Sequence, residues 1–262
     1  MKFLTFLLIL FALHPISAQV AGGEGELITS SADKVMIIPF RSYNYLSDAD
    51  YDLANANRLT ASEISTRFRY GLDLSLAAQV GTIYDTYSIL TDSAMSSAAE
   101  LRRIYSSVSY KYQKPIDHTE GITDKKDSRN EDLFGRHIGE KTEEEADAKE
   151  YMNVLIRDPE LLPHLANTYD VEYFIFINQF ELLTNYEHCL DRSTNNFKRV
   201  IAVHYSIFDV NGNQMKGDVI NVTFGSNDNN MNEIIGNYLP LITKGIKNEL
   251  DRQVMVSNEP NN

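Results

Sequence analysis

The chain has 262 residues and sets 24 Lys and Arg against 37 Asp and Glu, a formal net charge of −13. A balance this acidic disfavours non-specific association with nucleic acid or anionic lipid. One cysteine, Cys189, excludes an internal disulfide framework, while 43% hydrophobic content with 12 Phe and 15 Tyr supplies a sizeable core.

Residues 1–18 read as a secretory signal. Lys2 gives the positive start, and Phe3 to Leu13 is an apolar run too short to span a bilayer comfortably. Ile16-Ser17-Ala18 places small residues before Gln19, as signal peptidase requires. No Cys stands near the cleavage point, so the expected product is periplasmic or secreted, without lipid and with no membrane span once the signal is gone. Residues 19–33, rich in Gly, Ser and Glu, read as a flexible leader. Residues 34–256 read as a single α/β domain and 257–262 as a polar tail.

Lys34-Val-Met-Ile-Ile-Pro-Phe40 predicts a first buried strand ending at Pro39, which lacks a ladder donor. Tyr43 to Asn57 reads as a polar, tyrosine-bearing loop. Ile64, Phe68, Leu72, Leu76, Val80 and Ile83 recur at helical spacing, with Thr60 and Glu63 as a capping box and Gly81 as a stop. Tyr87 and Leu90 continue the stripe, so residues 82–90 are read as helix, although Thr, Ile and Tyr there also suit a strand. Ala98 to Tyr112 reads as another helix, showing Leu101, Ile104, Tyr105, Val108 and Tyr112. Residues 113–149 lose all periodicity and are dense in charge, which predicts a solvated insertion. Glu150–Ile156 and Pro159–Tyr169 read as short helices.

The stretch from Asp170 to Phe224 predicts the sheet. Its first strand is apolar on both faces, with Val171, Tyr173, Ile175 and Ile177 opposed to Phe174, Phe176 and Phe180; such a strand belongs inside a covered sheet. Asn185 to Phe197 reads as a polar link. Lys198 to Asp209 then puts Ile201, Val203, Tyr205 and Ile207 on one face and Val200, Ala202, His204, Ser206 and Phe208 on the other. Asp209-Val-Asn-Gly-Asn213 predicts a hairpin turn into Lys216–Phe224. Asn232 to Val254 predicts an amphipathic helix with Ile235, Leu239, Ile242, Ile246 and Leu250 packed across the sheet. Pro240 should kink that helix or mark its first turn.

The fold class that follows is α/β (α+β): a small mixed sheet with a C-terminal β-hairpin, packed against amphipathic helices. Three features carry a resemblance: the strand from Lys34, the entry Thr168-Tyr-Asp-Val-Glu-Tyr-Phe-Ile-Phe176, and the Asn-Gly hairpin followed by a closing helix. Together they resemble the small periplasmic α/β domain shared by the curli-secretion channel lipoprotein, the lipoprotein activators of penicillin-binding proteins and the N-terminal domain of TolB. The resemblance spans roughly residues 34–80 and 158–254 and rests on pattern.

Candidate chemistry is sparse. His118, Glu120 and His137 are the metal candidates, but they lack the i, i+4 spacing by which a helix converges two ligands. Asp209, Asn211 and Asn213 alternate like a calcium loop, yet the Gly and Glu positions of an EF-hand are missing. His188-Cys189 are strand neighbours whose side chains point apart. The acid pairs Asp48/Asp50 and Glu143/Glu144 read as solvated, and Asn221-Val222-Thr223 is a glycosylation sequon inside a predicted strand. Tyr43, Tyr45, Tyr51, Tyr84 and Tyr87 suit a protein-binding face. No catalytic residue and no cofactor is predicted. The expected function is an exported, non-enzymatic cell-envelope module that binds another envelope protein or itself. The alternative is an exported hydrolase or metal-binding enzyme with a site assembled from distant residues.

Overall fold

The computed structural model describes residues 33–92, 95–115 and 150–258. The signal, nearly all of the leader, the charged insertion from 116 to 149 and the end of the tail lie outside the described residues.

In chain order the elements are β1 (Lys34–Ile38), a 3-10 turn (Ser42–Asn44), β2 (Tyr45–Ser47), α1 (Asp50–Asn57), α2 (Ala61–Val80), β3 (Asp85–Ser88) and α3 (Met95–Ser106). There follow β4 (Val108–Gln113), β5 (Tyr151–Ile156), α4 (Leu161–Tyr169), β6 (Tyr173–Asp191), β7 (Asn196–Asp209), β8 (Gln214–Gly225) and α5 (Met231–Asn258). The mixed α/β class is as the patterning predicts. The main sheet runs β3-β1-β6-β7-β8, with β2 also on β6. β1 and β2 lie parallel to β6 along the same edge, whereas β7 and β8 are antiparallel. β4 and β5 form a separate antiparallel ribbon.

Each face of the sheet has its own core. Ile37, Ile175, Val203 and Tyr205 meet α2 through Phe68 and Leu72, and α5 through Leu239, Ile242 and Ile246. On the other face Met36, Ile38, Phe174, Phe176 and Phe208 meet Ile104 of α3, Val108 and Val154 of the ribbon, and Leu161, Leu162 and Leu165 of α4. The two faces of β7 divide as their alternation predicts. Phe180 does not stay with Phe174 and Phe176. A bulge between Ile177 and Gln179 inserts one residue, so the parity flips and Phe180 joins Ile175 and Ile177, in ring contact with Phe40, Tyr45 and Phe68.

The capping box is present: Thr60 Oγ1 accepts from the Glu63 N–H at 3.2 Å, and the Glu63 carboxylate accepts from the Thr60 N–H at 2.8 Å. The Asn-Gly turn is present too, with Gly212 at φ +82° and the Asp209 carboxylate accepting from the Asn211 and Asn213 N–H groups. α5 runs through Pro240, which is therefore neither an end nor a first turn.

Five expectations change. The loop read at 43–57 holds the 3-10 turn, β2 and α1. Residues 82–90 are not helix: α2 stops at Val80, and β3 finds a parallel partner in β1 that spacing alone could not reveal. The helix read at 98–112 ends at Ser106, because Val108, Tyr110 and Tyr112 alternate as a strand against β5. Glu150–Ile156 is strand for the same reason. The polar link at 185–197 is the outer half of the β6–β7 hairpin, whose only turn lies between Asp191 and Asn196.

Candidate functional site

The polar residues on β7's second face, His204 and Ser206, are buried where neighbouring positions are apolar, and the β4–β5 ribbon is what covers them. Asn178, the residue at the bulge, donates from Nδ2 to the Met152 carbonyl and to Ser206 Oγ, both at 2.8 Å. Ser206 in turn donates to Asn153 Oδ1, Asn153 to Gln214 Oε1, and Gln214 to the Tyr151 hydroxyl at 2.9 Å. A Cβ at position 217 would collide with that hydroxyl, so Gly217 is what lets Tyr151 lie across β8. The chain of bonds pins the ribbon to the sheet. It also engages the Ser206 hydroxyl as both donor and acceptor.

The Met152 N–H donates to His204 Nδ1 at 2.9 Å, so the neutral ring carries its proton on Nε2, which faces Glu181 Oε1 at 3.5 Å. Glu181 also accepts from Gln179 Nε2 at 2.8 Å, and Gln179 Oε1 accepts from the Tyr112 hydroxyl at 2.9 Å. Here the ribbon's side-chain contacts with the sheet give way to an open groove. The next cross-strand pairs, Glu181 with Ala202 and Leu183 with Val200, line a groove of about 560 Å³ together with Thr184, Asn185, Tyr186 and Glu187. Leu183 is 42% exposed and Tyr186 64%, the latter resting one side of its ring on Phe197. β2 accompanies β6 only as far as Leu182, and a bulge interrupts the β7 ladder between Asn185 and Cys189, so beyond the Asp48–Thr184 contact β6 has no partner on its β2 side among the described residues. An apolar groove beside an unpaired strand edge binds extended chains well.

His118, Glu120 and His137 lie outside the described residues, as do Glu143 and Glu144. Among the described residues no group of three His, Cys, Asp or Glu side chains is arranged to hold a metal ion. Asp48 and Asp50 are structural acceptors, for the Thr184 N–H and the Tyr45 hydroxyl. The tyrosine face divides. Tyr45 and Tyr84 pack into the core, Tyr87 stacks on Tyr169, and only Tyr43 and Tyr51 stay well exposed. Cys189 Sγ lies 3.7 Å from the Asn196 carbonyl. Away from the groove, burial pushes the Asp73 carboxyl from an ordinary 3.8 up to about 6, even though Ser88 donates to it and Arg69 stands nearby. Sequence reasoning missed Glu181, Leu183, Tyr186 and Glu187. Their one signal is a leucine and a tyrosine standing among polar residues.

No protein-family model matches the chain, and no curated protein matches it. Among solved structures, lipoprotein GNA1162 from Neisseria meningitidis superposes with a TM-score of 0.32 and 11% identity, over 82% of this chain and 99% of that one. A likeness so loose carries no argument. Among the described residues no helix is long and apolar enough to cross a membrane.

Proposed function

We propose that this chain is an exported cell-envelope protein that acts by binding another protein, without catalysis, in the groove beside β6. Export is supported by the signal-like run from Lys2 to Ala18. The observation that carries the binding role is the juxtaposition of the Leu183–Val200 groove with a strand edge that β2 leaves unpaired. The occupant that fits is an extended partner segment. It would add a strand to β6 beyond Thr184, set apolar side chains on Leu183 and Tyr186, and bring a Lys or Arg to Glu187. The resemblance to periplasmic α/β domains of envelope lipoproteins is compatible with such a role and belongs to this proposal.

The test is a photoreactive amino acid placed at position 186 and, as control, at 74, where exposed Leu74 lies on α2. After cell fractionation, position 186 should give a discrete protein adduct in the envelope fraction and position 74 should not. Leu183→Asp should abolish the adduct. Retention of the protein in the cytosol, or the same adducts from both positions, would overturn the reading.

A further inference from the structure

A second cleft, distinct from the groove, runs between the 3-10 turn and β4. It holds about 620 Å³, within the range of roughly 300–1,000 Å³ common for small-ligand sites. Arg41, Lys111 and Arg157 line it, and among the described residues no Asp or Glu does. None of these three cations forms an ion pair among the described residues. In a chain of net charge −13 that is a local reversal of sign. Carboxylates more than about 8 Å away are largely screened at physiological salt, so an anion in the cleft responds chiefly to the cations beside it.

Arg41 is held ready. Its guanidinium carbon lies 5.0 Å from the ring centres of Tyr43 and Tyr105 and 5.8 Å from that of Tyr110. It donates to the Tyr43 hydroxyl and the Tyr105 carbonyl oxygen, which leaves the rest of its five N–H donors for a ligand. A fork already fixed by rings loses little freedom on binding an oxyanion. Burial raises the Tyr110 hydroxyl, which therefore stays protonated and adds a neutral donor. Tyr43 and Tyr112, 66% and 43% exposed, offer ring surface at the rim.

Cations without a counter-ion among the described residues, neutral hydroxyls and open aromatic faces together suit a ring that is apolar on its flat faces and acidic at one substituent. We propose that this cleft binds an acidic sugar, its carboxylate or phosphate held by Arg41, Lys111 and Arg157 and its ring laid against tyrosine. The groove beside β6 plays no part in it.

The test is calorimetric titration of the full chain with glucuronate, glucose 6-phosphate and glucose. At least one acid should bind at least about tenfold more tightly than glucose, and more weakly as salt rises. The stronger acid identifies whether carboxylate or phosphate is preferred. Arg157→Ala and Lys111→Ala, both at exposed positions, should each weaken that acid several-fold and leave the thermal midpoint unchanged; Arg157→Lys should recover part of the loss. Equal affinity for glucose and both acids would overturn the proposal, as would acid binding unchanged in both alanine variants. Tighter binding of a tetraglutamate peptide than of either sugar would also overturn it, and would give the cleft to a protein segment.

Discussion

Asp73 shows how one buried carboxyl ties stability to pH. It is 2% exposed on α2, and burial holds it up at about 6 against 3.8 when the chain is open. Between those values the folded form keeps a proton that the unfolded form has lost, so stability falls as pH rises from about 4 to about 6 and then levels off. The displacement, 6 − 3.8, corresponds to roughly 3 kcal/mol at neutral pH. Asp73→Asn removes the ionisation and keeps a partner for Ser88. Urea unfolding should therefore find the variant more stable than the parent at pH 8 by up to about 3 kcal/mol, with the gap closing towards pH 4.5. A gap independent of pH would mean that Asp73 does not titrate in this range.

At the scale of elements, α5 is the clearest lever. Ile242 is fully buried between the sheet and α2, so Ile242→Ala should cost about 2–5 kcal/mol and Ile242→Asp should prevent stable folding. Lys247, off the apolar stripe, is no neutral control, because its Nζ lies 2.6 Å from Asp251, which also accepts from the Tyr84 hydroxyl. Exposed Lys244 takes that place, and Lys244→Ala should change stability by less than about 0.5 kcal/mol. Equal small losses at 242 and 244 in denaturant titrations would mean that α5 is not docked. The docking was legible in sequence because Leu239, Ile242 and Ile246 repeat with the helix, and β7 because it alternates without interruption. Three kinds of element were not. β5 looked helical because its partner β4 lies across the charged segment, and pairing over such a distance leaves no local trace. The outer hairpin looked like a loop because both of its faces are largely wet, and alternation needs one dry face to be seen. The bulge at Asn178 reverses the parity from Gln179 to Asn185, which sends Phe180 to the side opposite the one that alternation predicts. The groove inherits these last two failures, since it lies just past the bulge on the wet hairpin.

For the molecule as a whole, the charged segment should be replaceable. Gln113 and Tyr151 are cross-strand partners, so the ribbon's ends already meet and a short turn can join them. Exchanging the 34 residues from 116 to 149 for about four shortens the loop between Gln113 and Tyr151 from 37 residues to about seven, between two and three halvings, which favours folding by roughly 1.5 kcal/mol. One cooperative thermal transition should remain, at an unchanged or higher midpoint; its loss would make the segment part of a core. A different constraint follows from where β6 stands in the chain. β1 and α2 rest on a strand that is made much later, for the Lys34 N–H bonds Glu172 across 138 residues. At about 5–20 residues per second that separation is roughly 7–28 s of synthesis. Throughout it the first third of the chain, β1, α2 and β3 included, lacks the strand against which Met36, Ile37, Phe68 and Leu72 complete their burial. The polypeptide therefore has a vulnerable interval whose least length is set by the order of its elements in the chain, and during it safety depends on whatever shelters an unfinished chain.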